Sequence, residues 1–579
     1  MDMVNIKINN LPYQVPANST VLEAAREAGI NIPTLCYLKD INEIGACRMC
    51  MVEIKGARSL MAACVYPVNE GMEVFTNTPK VQKSRKMTLE MILSVHNRKC
   101  LSCTRNQNCE LQSLCADMGI DNENRYSGDL PKSTYDNSTS YLVRNNSKCI
   151  LCRRCVAACS KQVVSVIGAN NRGFDTDIGC AFEMPLNDVS CVACGQCIVS
   201  CPTGALTEKS NIQETLDAIA DPEKYVVVQT APAVRAALGE EFGLPIGTNV
   251  TGKMVTSLRR LGFDKVFDTS FGADMTIMEE ATEFVHRVKN DGVLPMITSC
   301  SPGWVKFCEH HYPDLLENLS SCKSPQQMTG ALVKTWFAKR ENLDNKKMVS
   351  VAVMPCTAKK FEIGRDNEDA AGVPDVDIVL TTRELADMIR LAQLNFNRLP
   401  DEHFDDLLGV STGAAVIFGA TGGVMEAALR TAADLISGED IEALDYKEVR
   451  GVGVFKEAVY KVADMEVKVA VVSGLENANR LLEKVRSGEA DYHFIEVMCC
   501  PGGCVNGGGQ PIQPATVRNF EDIKGLRASA LYSDDAARSL RKSHKNPALQ
   551  QCYKEFLGEP GGHLAHEILH TSYVKRPKL

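Results

Sequence analysis

The sequence predicts a multidomain protein of mixed α+β and α/β class, and three observations carry that expectation. Nineteen of the 25 cysteines in the 579-residue chain fall into closely spaced groups, most of them before residue 210. The chain opens on an alternating apolar pattern that reads as a hairpin. From about residue 210 apolar strands alternate with amphipathic helices, the pattern of an α/β domain. A chain of this length exceeds what one core can serve. The texture divides it into segments 1–80, 81–140, 141–210, 211–515 and 516–579.

Composition narrows the class. Apolar content of 45% and charged content of 23% are those of an ordinary soluble protein. The longest apolar stretches, 225–233 and 467–474, are too short to cross a bilayer, and MDMVNIKINN has no basic region leading into an apolar one. Many free thiols without an export signal belong in a reducing compartment, where they bind metals instead of forming bridges. A cytoplasmic protein with no membrane contact is expected. A net charge of −9, with no arginine-rich arm, argues against nucleic acid as a partner.

Each element follows in order. The hairpin MVNIKINNLPYQVP leads to an amphipathic helix, Thr20 to Ala28, whose start is marked by Ser19 and Thr20. Cys36, Cys47, Cys50 and Cys64 come next, with Cys47 and Cys50 in the glycine-entered loop GACRMC. Four thiolates on short loops can wrap one small cluster. The first gap, ten residues, is longer than in the plant-type spacing. It resembles that of the ferredoxin-like domains of complex I and of iron hydrogenases, and the resemblance implies a β-grasp fold around one [2Fe–2S] cluster.

Residues 81–115 read as helix and then loop, carrying His96, Cys100, Cys103 and Cys109. Imidazole joins thiolates without strain. On spacing alone structural zinc and a [4Fe–4S] cluster fit equally. Zinc between two redox centres would interrupt an electron path, so the cluster is expected; Cys115 reads as a core thiol. Segment 141–210 repeats C-x2-C-x2-C-x3-C, with Cys149, Cys152, Cys155 and Cys159 answered by Cys191, Cys194, Cys197 and Cys201. In bacterial two-[4Fe–4S] ferredoxins the fourth cysteine of each run serves the other cluster. Cys201 is therefore expected with the first run and Cys159 with the second, while Cys180 has no partner. Three accessory [4Fe–4S] clusters result.

In segment 211–515 the β-rich runs KYVVVQTAPAV, VLPMITSC, KMVSVAVMPC and HFIEVMCC each end in a turn. Ligands are expected where such strands give way to loops. Cysteines stand at three of these ends, in TSCSPGW, MPCTAKKFE and EVMCCPGGCVNGGGQP. With the upstream cluster order, these segments resemble the active-site signatures of [FeFe]-hydrogenases, above all the large multi-cluster clostridial type, over essentially the whole chain. The resemblance implies a hydrogenase that interconverts two protons, two electrons and dihydrogen. Its H-cluster would be a [4Fe–4S] cubane joined through a cysteine to a two-iron centre with carbon monoxide, cyanide and a dithiolate amine. Cys356 and Cys500 would be cubane ligands and Cys504 the bridging thiolate. Lys359 would hydrogen-bond a cyanide. Met354, Met498 and Phe418 would pack beside the two-iron unit, and Ala231, Pro232, Ser324 and Gln326 would line the site.

Two departures stand out. The family's first motif is TSCCPxW, whose first cysteine relays protons and whose second ligates the cubane; here the second is Ser301. Either Cys300 or Ser301 takes the fourth cubane position, and Cys300 is preferred because a hydroxyl is a poor iron donor beside thiolate. Cys499 stands where alanine is usual, as a packing thiol or a substitute ligand. By the same resemblance protons would pass through Cys300, Glu280, Ser320 and Glu283 to Arg287.

The tail 516–579 reads as two helices and an end, and resembles a small subunit of periplasmic relatives. His563, His566 and His570 have helical spacing and read as a packed or solvated face, with metal binding the alternative. Two other functions fit parts of the chain: a complex I-like electron conduit, or a hydrogen sensor. Complete second and third motifs and the lack of a signalling module oppose them. No Rossmann fingerprint is present, so NAD(H) chemistry would come from flavin and iron–sulfur partner subunits. Ferredoxin, a formate dehydrogenase and maturation proteins are the other expected partners. TSCSPGW resembles the subunits of multimeric, electron-bifurcating hydrogenases, which favours a complex.

Overall fold

A computed structural model describes residues 2–441, 445–462 and 465–578. The first hairpin pairs Met3–Ile8 with Leu11–Pro16, and Glu73–Phe75 joins Met3–Ile8 in parallel to build a five-stranded mixed sheet. The helix Val21–Glu27 packs its Val21, Leu22, Ala24 and Ala25 into this sheet's core. Thr20 caps it through a reciprocal pair with Glu23, the capping box that satisfies two otherwise orphaned amides.

Residues 79–117 supply the helices Pro79–Ser94 and Glu110–Asp117 on either side of an irregular loop. The two cysteine runs that follow share a backbone signature. Leu151 and Arg153 in the first, and Ala193 and Gly195 in the second, all have φ between 54° and 70°. Three of these are not glycine, so the sequence repeat is also a repeat of left-handed turns, which aim successive thiols inward.

The catalytic segment has two four-stranded sheets. One is wholly parallel, in the order Lys265–Asp268, Tyr225–Thr230, Met348–Met354, Ile378–Thr381. The other runs Met296–Ile297, Phe494–Met498, Met465–Ser473, Phe455–Val462, with only the last strand antiparallel. Both are covered by helices, chiefly Thr269–Lys289, whose first fourteen positions are almost all buried. The strand ends at Thr230, Ile297, Met354 and Met498 deliver the loops bearing Ala231, Cys300, Cys356 and Cys500.

Pro232, Pro302 and Pro325 each open a helix, where a missing N–H costs nothing. The tail differs from its expected two helices. Asn546 and Pro547 restart the chain after Ile523–Ala537, and His563–Leu569 forms a further helix beyond the Gly558–Gly562 break. His570 lies just outside that helix, extended. Among the described residues, no helix is long and apolar enough to cross a membrane.

Candidate metal centres and active site

Cys36, Cys47, Cys50 and Cys64 converge beneath the first sheet. The Cys47 amide donates to Cys36 Sγ at 3.5 Å, and the Cys50 and Cys64 sulfurs are 3.3 Å apart. Hydrogen bonding from Cys36 draws the Cys47 thiol down to about 6, toward the thiolate a metal requires. The four-sulfur donor set fits a small cluster.

His96 is mostly buried, and its Nδ1 has no hydrogen-bond partner. Burial, then Lys148 and Arg98, pulls its pKa down to about 4, which keeps the imidazole neutral and able to ligate. Burial first, then nearby Cys109 and Cys100, raises the pKa of Cys115. Cys109 Sγ faces the Pro202 carbonyl at 3.7 Å, and Lys148 Nζ lies 3.5 Å from Cys103 Sγ. An orphaned, buried ring nitrogen that shares its Lys148 neighbour with Cys103 fits a histidine-ligated centre.

The two repeated runs cross. One cavity is lined by Cys149, Cys152, Cys155 and Cys201, and a second by Cys159, Cys191, Cys194 and Cys197. Each gathers three thiols from one run and the fourth from the other. Cys180 is buried in the same core but lines neither cavity.

Both N-terminal groups reach the Cys149 cavity. Asn42 donates to the Cys36 carbonyl at 2.7 Å and to the Cys152 carbonyl at 3.0 Å, tying the first site to the Cys149 cavity. The His96 group reaches the same cavity through Pro202, which lines it. The first group and the His96 group also adjoin each other, since Cys47 and Cys109 pack into one small core. The short sheet Tyr135–Asp136, Leu142–Asn145, Leu206–Glu208 pairs the strand before the first run with the strand after the second.

The second cavity abuts the strand-end loops. Cys500 Sγ lies 3.9 Å from the Cys194 carbonyl. A Cβ on Gly508 would stand 2.4 Å from that same carbonyl, so the GGG segment permits backbone to meet backbone between the two sites. Cys356, Cys500 and Cys504 lie in one buried group: burial first, then Cys500 and Cys504, raises the Cys356 thiol, and burial first, then Cys500, pushes Cys504 up to about 12.

Cys300 and Cys499 part company. The charged or ionisable neighbours of the Cys300 thiol are Glu280, Cys504, Glu496 and Lys359. Cys499 is buried against Cys194 and Cys500, with its carbonyl held by Gln162 at 2.9 Å. Ser301 does not cap its helix; its hydroxyl accepts the Cys499 amide at 3.2 Å. A Cβ on Gly303 would lie 2.8 Å from the Cys499 sulfur, so that thiol fills the space beside the TSCSPGW loop.

Lys359 is buried at 8% exposure, and its ammonium donates to Ser324 Oγ at 2.7 Å and to Glu362 at 2.8 and 3.0 Å. Gln326 also donates to Glu362, at 3.1 Å, and its own Oε1 is buried without a partner. Ala231, Pro232, Met354, Met498 and Phe418 are all buried. Glu362 was not anticipated, although its i, i+3 spacing from Lys359 in KKFE is a signal for an ion pair. Glu496 was missed too: it accepts the Gly422 and Met425 amides at 2.6 and 2.8 Å from inside a strand read only for its apolar residues.

Glu280 is fully buried, and neither carboxyl oxygen has a hydrogen-bond partner. Burial first, then Glu283, pushes its pKa up to about 8. Ser320 Oγ donates to Glu283 Oε2 at 3.2 Å, and Arg287 Nη2 donates to Glu283 Oε1 at 2.6 Å. The residues expected on the proton route share one region, with hydrogen bonds joining Ser320 and Arg287 to Glu283 and with Glu280 among the neighbours of Cys300. The carboxylates that the tail histidines lacked in sequence are supplied by tertiary contact: His570 packs against Glu279, Glu283 and Cys322, His566 stacks on it, and His563 is exposed.

Comparison with known proteins places these features. Residues 224–508 match the family described as iron only hydrogenase large subunit, C-terminal domain, and 521–576 match iron hydrogenase small subunit. Residues 1–79 match a 2Fe-2S iron-sulfur cluster binding domain, 85–124 the NADH-ubiquinone oxidoreductase-G iron-sulfur binding region, and 148–205 a 4Fe-4S dicluster domain. The chain is 48% identical to the NADP-reducing hydrogenase subunit HndD of Solidesulfovibrio fructosivorans, with all of both chains covered. It is 45% identical to iron hydrogenase 1 of Clostridium pasteurianum, covering 99% of this chain and all of the other. Among solved structures, a single-residue variant of apo [FeFe]-hydrogenase HydA1 from Chlamydomonas reinhardtii matches with TM-score 0.56 and 42% identity over 64% of this chain and 100% of that one.

Proposed function

The chain belongs to the [FeFe]-hydrogenase family, and from that premise we propose how its residues divide the work and which partners it serves. Its reaction is the reversible joining of two protons and two electrons into dihydrogen. The observation that carries the assignment of roles is the convergence of Cys356, Cys500 and Cys504 at strand ends, flanked by the Cys194 site on one side and buried Glu280 on the other.

The donor set fits an H-cluster: three thiols would hold it, with Cys504 as the bridge to the two-iron unit. When bound, that group supplies the redox chemistry itself. The protein supplies access, protons and charge. Lys359, held by Ser324 and Glu362, presents a fixed ammonium in an apolar pocket, where one hydrogen bond to an anionic ligand is worth more than in water. Met354, Met498 and Phe418 exclude water. The Cys300 thiol faces Glu280 and stands as the inner end of the proton route. Glu280 is neutral at pH 7 and close to its midpoint, so it can release or accept a proton at small cost. Ser320 and Glu283 continue outward. Cys499, the thiol against Cys500, takes the fourth cubane position, with Ser301 orienting its backbone.

Electrons enter through the two N-terminal sites, and both lead to the Cys149 cavity. The HndD relative is named as a subunit of an NADP-reducing hydrogenase and aligns end to end. This supports nicotinamide-linked flavin and iron–sulfur subunits as the partners, in preference to ferredoxin alone or a formate dehydrogenase. Maturation proteins would deliver the two-iron unit, and the location would be cytoplasmic. Native purification with subunit identification, together with infrared detection of bound carbon monoxide and cyanide, tests the whole. A chain that purifies alone and transfers electrons only with ferredoxin defeats the partner assignment, and matured protein without those bands defeats the role of the thiols.

A further inference from the structure

Arg154 stands between Cys152 and Cys155 in the first repeated run, yet its side chain reaches well beyond that run. It is 1% exposed and forms a bidentate pair with Glu110, at 2.7 Å from Nη1 and 3.0 Å from Nη2. Nη2 also donates to the Tyr37 carbonyl at 3.1 Å, and Nε is buried without a partner. Tyr37 follows Cys36, and Glu110 follows Cys109. One cation inside the Cys149 site thus touches residues that adjoin ligands of both N-terminal sites. Asn42, which joins the Cys36 and Cys152 carbonyls, belongs to the same junction.

A buried guanidinium is costly unless opposite charge stands close. Glu110 answers part of that charge from the outer side, where its side chain is 14% exposed and lines an open groove shared with Lys83 and Ser113. The thiols among the ionisable neighbours of Arg154 are Cys152 and Cys36. The ion pair is therefore a dipole with its positive end toward two thiol sets and its negative end toward solvent. A cluster held by four thiolates is anionic, and more so when reduced, so a nearby fixed cation favours the reduced form and raises the potential. Arg85 offers a contrast. It is 8% exposed, its Nη2 donates to the Met51 carbonyl at 2.7 Å, its Nε has no partner, and its ionisable neighbour is Cys50. Arg85 therefore serves the first site alone, whereas Arg154 is shared.

We infer that Arg154 sets the reduction potentials of the first site and the Cys149 site together, its charge favouring an added electron at both. The step it governs is the passage of one electron: the reduced [2Fe–2S] cluster is reoxidised as the cubane in the Cys149 site is reduced, with no bond formed or broken and no proton moved. The electron comes from the iron–sulfur or flavin donor of the partner. Because both potentials rise together, their difference, which drives that passage, stays nearly fixed. Glu110 is a positioning residue that holds the guanidinium in the junction and tempers its charge. The inference rests on Cys36, Cys47, Cys50 and Cys64 holding the [2Fe–2S] cluster and on Cys149, Cys152, Cys155 and Cys201 holding a cubane.

The test is a dithionite titration of the full-length, cluster-loaded chain followed by electron paramagnetic resonance, with iron content measured on each sample. The two signals are identified as those removed by Cys50→Ala and by Cys152→Ala. Arg154→Gln is expected to lower the equilibrium constant for reduction ~10-fold at both sites, which is about 59 mV for one electron, with iron content unchanged. Arg154→Lys keeps the charge and recovers most of the shift. Glu110→Gln, which removes the counter-charge, shifts both sites the opposite way, and Arg85→Gln lowers the first site only. A purely structural role would change iron content or line shape and would not give shifts of opposite sign in the Arg154 and Glu110 variants. Unchanged midpoints in iron-replete Arg154→Gln overturn the inference, as does a shift confined to one site. Should Arg154→Gln load incompletely, Glu110→Gln decides, and the absence of an upward shift at both sites refutes the shared role. If Cys50→Ala or Cys152→Ala removes no signal, the ligand assignment itself fails and the inference with it.

Discussion

Replacing Glu280 by glutamine separates catalysis from folding, because the two respond in opposite directions. The carboxyl is completely buried and its pKa stands near 8 against an ordinary 4.5, with burial the main cause and the Glu283 charge the next. At about 1.4 kcal/mol per unit, ionising it in the folded protein costs on the order of 5 kcal/mol more than in the unfolded chain. The sign follows from proton counting. Below pH 4.5 both states hold the proton, and the stabilising contribution is fully present. As pH rises toward 8 the unfolded state releases its proton while the folded state keeps it, so stability falls until the folded group also ionises. Glutamine, nearly the same shape and never charged, removes that loss. Glu280→Gln should therefore unfold in denaturant at higher concentration than wild type at pH 8 and at the same concentration at pH 4.5. Hydrogen evolution should fall ~100-fold or more, because the amide cannot relay a proton. Wild-type activity should itself decline above about pH 8, where Glu280 stays ionised. A variant with intact clusters and full activity refutes the route, and one without the stability gain at pH 8 refutes the burial argument.

Other outcomes follow from single contacts. Lys359→Met strands the Glu362 carboxylate, at 4% exposure, with only Ser324 and Gln326; a loss of about 3–5 kcal/mol is expected by denaturation, largely recovered in Lys359→Met/Glu362→Gln. Cys499→Ala, made in protein lacking the two-iron unit, should abolish one cubane signal in electron paramagnetic resonance and lower the iron count, whereas Cys300→Ala should leave both unchanged. Asn42→Ala removes two buried hydrogen bonds between the first site and the Cys149 cavity. It should cost about 1–3 kcal/mol and slow electron entry from the [2Fe–2S] side in stopped-flow reduction, with cluster content unchanged.

Much of this molecule was legible because ligand spacing is a local property. A C-x2-C loop can close on iron wherever it is placed, so the thiol groups, the crossed repeat and the strand-end cysteines could be read from the chain. The same holds for the capped first helix, where Thr20 and Glu23 are three residues apart. Harder to read was anything whose partner lies far along the chain. Glu362 and Glu496 look like solvated or strand-interrupting charges until the fold places Lys359, Ser324 and the Gly422 and Met425 amides around them. His570 carried helical spacing that suggested a surface face, and 291 residues separate it from the Glu279 that holds it.

The cysteine groups, by themselves, determined that this chain binds a series of iron–sulfur clusters and ends in a reaction centre, since coordination demands sulfur at short, fixed intervals. Tertiary structure alone decided how those groups are joined. The two N-terminal sites share one neighbour because Asn42 and Pro202 reach the same cavity. The Cys300 thiol lies among Glu280, Cys504, Glu496 and Lys359 while that of Cys499 lies against Cys194 and Cys500, because the loops carrying them leave different sheet strands and bury their side chains against different neighbours. Which thiol meets iron and which meets a proton is a question of direction, and direction comes from packing.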